Sequence, residues 1–254
     1  MSLIDYDIAS SVATITLADD ERRNALSDEL LGQLFAAVDD ADLDPEVRVI
    51  VVTNRGTVFC AGANLRERAT DSPRSSASLS ELLLRIRSSK KIFVGRIAGH
   101  CVAGGVGLAA VMDVSVAIDT ASFGFSEVRL GVVPAIISVV CLPKMRLADA
   151  QQAMLRGQRF SAEEAARIGL ISLVAPGDEL DRTIEAIVGD LLAGEPTALA
   201  ATKALLYRRA GAIADDFAEM SALSESFFTS DAAREGVAAF FEKRPARWIE
   251  RPQP

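Results

Sequence analysis

The chain of 254 residues has few of the residues from which common catalytic centres are built. Its only histidine is His100, so a His-rich metal site has no ligand set. A Ser/His/Asp or Cys/His hydrolase would have to use the same residue, and no nucleophile motif flanks it. The three cysteines, Cys60, Cys101 and Cys141, are widely spaced and form no CxxC pair. An odd, scattered set predicts reduced and mostly buried thiols. Lys and Arg number 27 against 35 Asp and Glu, a net charge of −8, and no dense basic run stands out. Nucleic acid and anionic membrane are therefore poor partners. No apolar run approaches the roughly 18 residues of a spanning helix. The opening MSLIDYDIAS lacks the basic-then-apolar pattern of a signal peptide. The expectation is a soluble, cytoplasmic protein without a metal.

Hydrophobic residues make up 50% of the chain and charged residues 24%, ample for a packed core. Leu3–Ile8 and Val12–Leu17 read as an opening hairpin. From Ser27, a plausible N-cap, Leu30, Leu31, Leu34, Phe35 and Val38 follow the helical period. The apolar runs at 47–53, 92–97 and 114–118 suit strands covered on both faces. Helical patterns at 79–88 and from the glycines at 99–107 to Met112 alternate with them. This predicts an α/β fold with right-handed crossovers around a largely parallel sheet. Beyond about residue 145 the pattern turns helical. Ser161 to Glu164 is a capping box, Gly169 a helix stop and Pro196 a first-turn proline. Residues 1–195 are assigned to the body and 196–254 to a helical C-terminal region. No internal repeat is visible.

Two loops rich in Gly and Ala, Cys60–Leu65 and Gly99–Leu108, each precede a helix. One reading is that the small residues permit tight turns and close helix packing. The other is that unpaired N–H groups of helix first turns converge there on a ligand oxygen. A third segment, Phe123 to Pro134, places Glu127 among apolar neighbours. Glu127 is either a surface carboxylate paired with Arg129, or a buried base with a raised pKa.

Four stretches, Arg23-Asn24-Ala25-Leu26, Phe59-Cys60-Ala61-Gly62-Ala63-Asn64-Leu65, Ala103-Gly104-Gly105-Val106-Gly107-Leu108 and Phe125-Ser126-Glu127 with Leu130-Gly131 and Pro134, resemble the successive signatures of the crotonase (enoyl-CoA hydratase/isomerase) superfamily. The ending Phe240-Phe241-Glu242-Lys243-Arg244-Pro245 is similar to the family's usual one. The resemblance implies a spiral of ββα turns and C-terminal helices used in assembly as a homotrimer or a dimer of trimers. It implies an acyl-CoA substrate whose enolate is held by the N–H groups of Ala63 and Gly104, with Glu127 as acid/base. Coenzyme A is part of the substrate, so no separate cofactor is implied. Ala25 and Ala61, Gly62, Ala63, Asn64 and Leu65 would line the coenzyme A channel, and Lys243 would meet its nucleotide end.

Two positions depart from the family pattern. Gly107 stands where the first catalytic glutamate is usual, and Asn64 where an aspartate is usual. With Glu127 alone, the resemblance implies a hydratase first, since the segment around Glu127 is similar to hydratases of branched or methylglutaconyl-type thioesters. Shuttling one proton, as a 3,2-enoyl-CoA isomerase does, is the second reading, and acyl-CoA binding without catalysis a third. A Rossmann dehydrogenase is a rival through Gly105–Ala110, which matches GxGxxA. That motif does not follow a strand directly, and Asp119 comes too early for the ribose-binding acid.

Overall fold

The computed structural model describes residues 2–68, 78–207 and 213–248. Of the low-hydropathy stretch 69–78, residues 69–77 lie outside them. Strands β1 (Ile4–Ala9) and β2 (Val12–Leu17) form the expected hairpin, and helix α1 (Asp28–Leu43) follows. Ser27 caps α1 by accepting the Leu30 N–H at 3.1 Å. The chain then repeats one supersecondary unit. A long strand is followed by a three-residue strand in a second sheet, and that in turn by helix.

In the first unit β3 (Val49–Asn54) leads to β4 (Val58–Cys60), the single-turn α2 (Leu65–Arg68) and α3 (Leu79–Ser88). In the second, β5 (Ile92–Ile97) leads to β6 (His100–Val102) and α4 (Gly104–Val111). In the third, β7 (Val114–Ile118) leads to β8 (Ser122–Gly124), a 3-10 turn at Glu127–Leu130 and α5 (Ala135–Cys141). Next come α6 (Leu147–Arg156), β9 (Arg159–Ser161), α7 (Ala162–Arg167), β10 (Leu173–Ala175) and α8 (Leu180–Ala193). The last described helices are α9 (Pro196–Leu206), α10 (Ile213–Phe228) and α11 (Asp231–Phe241).

The long strands, with the three-residue β10 at one edge, form one sheet of order β1-β2-β3-β5-β7-β10, parallel from β2 onward. The short ones form a second sheet, β4-β6-β8-β9. Every residue of β3 is buried, as its uninterrupted apolar run requires. The small-residue loops read from sequence at Cys60–Leu65 and Gly99–Leu108 thus involve strands, β4 ending at Cys60 and β6 lying within the second. Three residues are too few to show an alternation, so their pairing is set by the neighbouring strands.

α9 is pinned to this body by a buried cation. Lys203, 4% exposed, pairs with Asp113 at 2.8 Å and donates to the carbonyls of Ile86 and Lys91. α10 crosses α3 and α5, placing a C-terminal helix over the body where the ββα units end.

Candidate active site

Asn24 organises the first edge of the site. It is fully buried, accepts the Asp19 N–H and donates to the carbonyls of Arg55 and Val58 at 3.3 and 2.8 Å. This holds Ala25 and Leu26 against the second small-residue loop. Leu26 donates to Gly62 O and accepts from Asn64 N, an isolated parallel bridge centred on Ala63. The residue between two such bonds points its own N–H away from the partner strand. Ala63 N–H accordingly has no acceptor among the described residues. Gly62 makes the turn at φ +83°, and a side chain there would meet Val102 O at 2.9 Å.

Gly104 N–H is likewise free, because the first residue of α4 has no intrahelical acceptor. Ala103, before it, sits at φ 50°, ψ −120°, a conformation that glycine adopts far more readily. The loops adjoin: a Cβ on Gly62 would lie 3.1 Å from Gly104 N. Two unpaired donors therefore sit on neighbouring loops at the head of a helix, where the dipole favours negative charge. Asn64, in place of aspartate, ties its loop by donating to Glu67 at 2.9 Å and accepting from Arg66 N at 3.2 Å.

Glu127 is 8% exposed, and its Oε2 is buried with no hydrogen-bond partner among the described residues. Burial pushes its carboxyl up to about 7. The alternative of a surface ion pair is excluded, since Arg129 donates to Arg156 O instead. His100 packs in the second sheet, where Nδ1 accepts the Ser122 N–H at 3.0 Å.

These groups meet at three cavities with shared walls. The apolar one is lined by Leu26, Leu31, Leu79, Ile136 and Phe228 and contains Ala63, Gly104 and Glu127. A second shares Ala63, Ala103, Glu127 and Phe228 with it and carries Arg23, Arg129 and Arg159. The third is walled by Arg22, Arg23 and Arg66 with Phe240 and Phe241. It also holds Ala25, Ala61, Asn64 and Leu65. A ligand with a short apolar end, a reacting centre and a polyanionic end suits this sequence of chambers. Among the described residues, no group of three metal-ligating side chains exists.

Residues 7–251 match the family described as Enoyl-CoA hydratase/isomerase. A Thermus thermophilus protein provisionally named an enoyl-CoA hydratase is 37% identical over 246 residues, 93% of this chain and 97% of that one. The chain belongs to the enoyl-CoA hydratase/isomerase family. An enoyl-CoA hydratase structure from Mycobacterium avium is 37% identical and superposes with a TM-score of 0.86, covering 98% of this chain and all of that one. Carnitinyl-CoA hydratase from the same species is 26% identical, with a TM-score of 0.89 over 99% of this chain and all of the other. The expected crotonase-like fold is borne out, and the dehydrogenase rival is not: GxGxxA begins inside α4 of a ββα unit.

Most of the residues expected from this family's pattern meet in the structure. Ala63, Gly104 and Glu127 line one cavity; Ala25, Ala61, Asn64 and Leu65 line the adjoining one. Lys243 does not join them: it is exposed, at φ 53°, and absent from the walls of all three cavities. Arg22, Arg66, Ser224, Phe228 and Ile137 were not identified as site residues from sequence. No local motif marks them; they reach the site only through packing.

Proposed function

We propose that this enzyme hydrates a 2-enoyl-CoA thioester, with Ala63 and Gly104 N–H groups holding the thioester oxygen and Glu127 as the sole acid/base. The observation that carries the reading is Glu127 itself, a buried carboxyl poised at about 7 with an unpartnered oxygen, in the same cavity as both free N–H donors. Negative charge that develops on the thioester oxygen meets donors already oriented, so no reorganisation is required as the bond forms. The carboxylate takes a proton from water as its oxygen attacks C3. The resulting carboxylic acid then gives that proton to C2 of the enolate from the same side. The arginines and Phe241 of the adjoining chambers receive the nucleotide end of coenzyme A, where Arg66 stands 5.8 Å over the Phe241 ring. Assembly as a homotrimer belongs to this reading as well.

One observation favours 3,2-enoyl-CoA isomerisation as a second reading. The place where a second acid would stand is filled by Ile137, leaving one carboxylate to move one proton from C2 to C4. Assays of Glu127→Gln with a 2-enoyl and a 3-enoyl thioester separate the two. Hydration lost about 10²–10⁴-fold, with negligible isomerisation by the wild type, supports the first reading. Wild-type turnover of the 3-enoyl substrate alone supports the second, and undiminished rates in the variant remove Glu127 from both.

A further inference from the structure

Among the described residues, the apolar cavity contains one polar side chain that the reaction above does not use. Ser224 is 9% exposed and lines the chamber from α10. Its hydroxyl has no partner among the described residues. Ser226 on the same helix and Thr229 just past its end satisfy theirs on backbone carbonyls three and four residues back. A hydroxyl that lines a pocket without a protein partner is open to a ligand atom, as donor and as acceptor.

Its position along the pocket can be read from the walls. Phe228 borders both the apolar chamber and the arginine-bearing one, as do Ala63, Ala103 and Glu127, so it stands at the junction where the reacting carbons lie. Ser224 precedes it by four residues, about one turn or 5–6 Å along the helix, and borders only the apolar chamber. The hydroxyl therefore faces the acyl chain beyond the reacting carbons. The charge of its partner is also constrained. Among the described residues that line this chamber there is no Lys, Arg or His, and Glu127 is the one ionisable side chain. A carboxylate on the acyl tail would be desolvated without a cation and would face Glu127.

We propose that Ser224 makes this enzyme selective for an acyl chain carrying an uncharged hydrogen-bonding group, such as a hydroxyl, keto or amide, beyond its reacting carbons. The inference rests on the acyl-CoA site described above. It argues against the dicarboxylic, methylglutaconyl-type substrates to which the segment around Glu127 is similar.

The test is equilibrium binding of saturated acyl-CoA thioesters, which cannot react, so the outcome does not depend on whether the enzyme hydrates or isomerises. Three short acyl chains of matched length, ending in methyl, hydroxyl and carboxylate, are titrated into wild type, Ser224→Ala and Ser224→Thr. Wild type is expected to bind the hydroxyl analogue about tenfold more tightly than the methyl one, and the carboxylate analogue most weakly. Ser224→Ala should lose that preference, weakening the hydroxyl analogue about tenfold and tightening the methyl analogue, while Ser224→Thr keeps it. Thermal melts of both variants report whether the fold is retained. Equal binding of hydroxyl and methyl analogues by wild type, or an unaltered preference in a folded Ser224→Ala, would overturn the proposal. If none of the three thioesters binds wild type, the acyl-CoA site itself is wrong and the proposal falls with it.

Discussion

Ile137 of α5 occupies the space into which any side chain at Gly107 of α4 would project. A Cβ built on Gly107 falls 2.8 Å from Ile137 Cβ and closer still to its Cγ2. The glycine where the family's first glutamate is usual is therefore a packing contact between two helices. It does not open a space opposite Glu127.

Gly107→Ala is accordingly expected to destabilise the fold by about 1–3 kcal/mol through overpacking. Adding Ile137→Ala should recover part of that loss, although Ile137→Ala alone costs about 2–5 kcal/mol through its cavity. Denaturant melts of the cycle should give a favourable coupling above about 0.5 kcal/mol. Strict additivity would show that the two side chains do not compete for one space.

Glu127 links pH to rate and to stability with opposite signs. Its carboxyl lies at about 7 in the folded chain against an ordinary 4.5. Between those values the folded state binds more protons than the unfolded one. Stability contributed by this group thus falls as pH rises through that window, by about 3 kcal/mol once pH exceeds 7. The rate constant kcat/KM should instead rise with pH and level off above 7, as the base form fills. Glu127→Gln should be more stable than wild type above pH 7, and that advantage should shrink towards pH 4.5. An advantage that does not vary with pH would show that Glu127 does not titrate in this window.

Ala103 holds the turn into α4 at φ 50°, in a region where a Cβ is strained. Ala103→Gly should raise stability by about 1 kcal/mol while loosening the Gly104 N–H, so the melting temperature rises and kcat falls. A variant both less stable and equally active would mean that no strain is stored there.

How far this could be read in advance depended on how local each signal was. The cap at Ser27, the helical pattern at 79–88 and the buried run of β3 carry their structure in adjacent residues, and α1, α3 and β3 were legible for that reason. Strands β4, β6 and β8 were not, because a three-residue strand takes its conformation from the strands beside it. Glu127 was recognisable only as a residue in a motif. Its burial comes from distant elements, and a lone glutamate in sequence reads equally as a surface charge. Ser224 is one serine among several on α10; its pocket is assembled with α3, α4 and α5, so nothing near it in sequence marks it.

The Lys203–Asp113 pair predicts a stability effect away from the chemistry. Asp113→Ala leaves the buried ammonium with carbonyls only and should cost about 3–5 kcal/mol. Urea melts check this, and a loss under about 1 kcal/mol would place the pair among exposed ones.

In the proposed reaction Glu127 carries protons to and from C2 of a thioester whose oxygen is held by the Ala63 and Gly104 N–H groups. Exchange of the C2 protons of a saturated acyl-CoA in deuterated water, followed by proton NMR, tests it without hydration or isomerisation taking place. Wild type should catalyse the exchange, and Glu127→Gln should reduce it by at least about 10²-fold with the thioester still bound. Exchange at the wild-type rate in that variant would contradict the account.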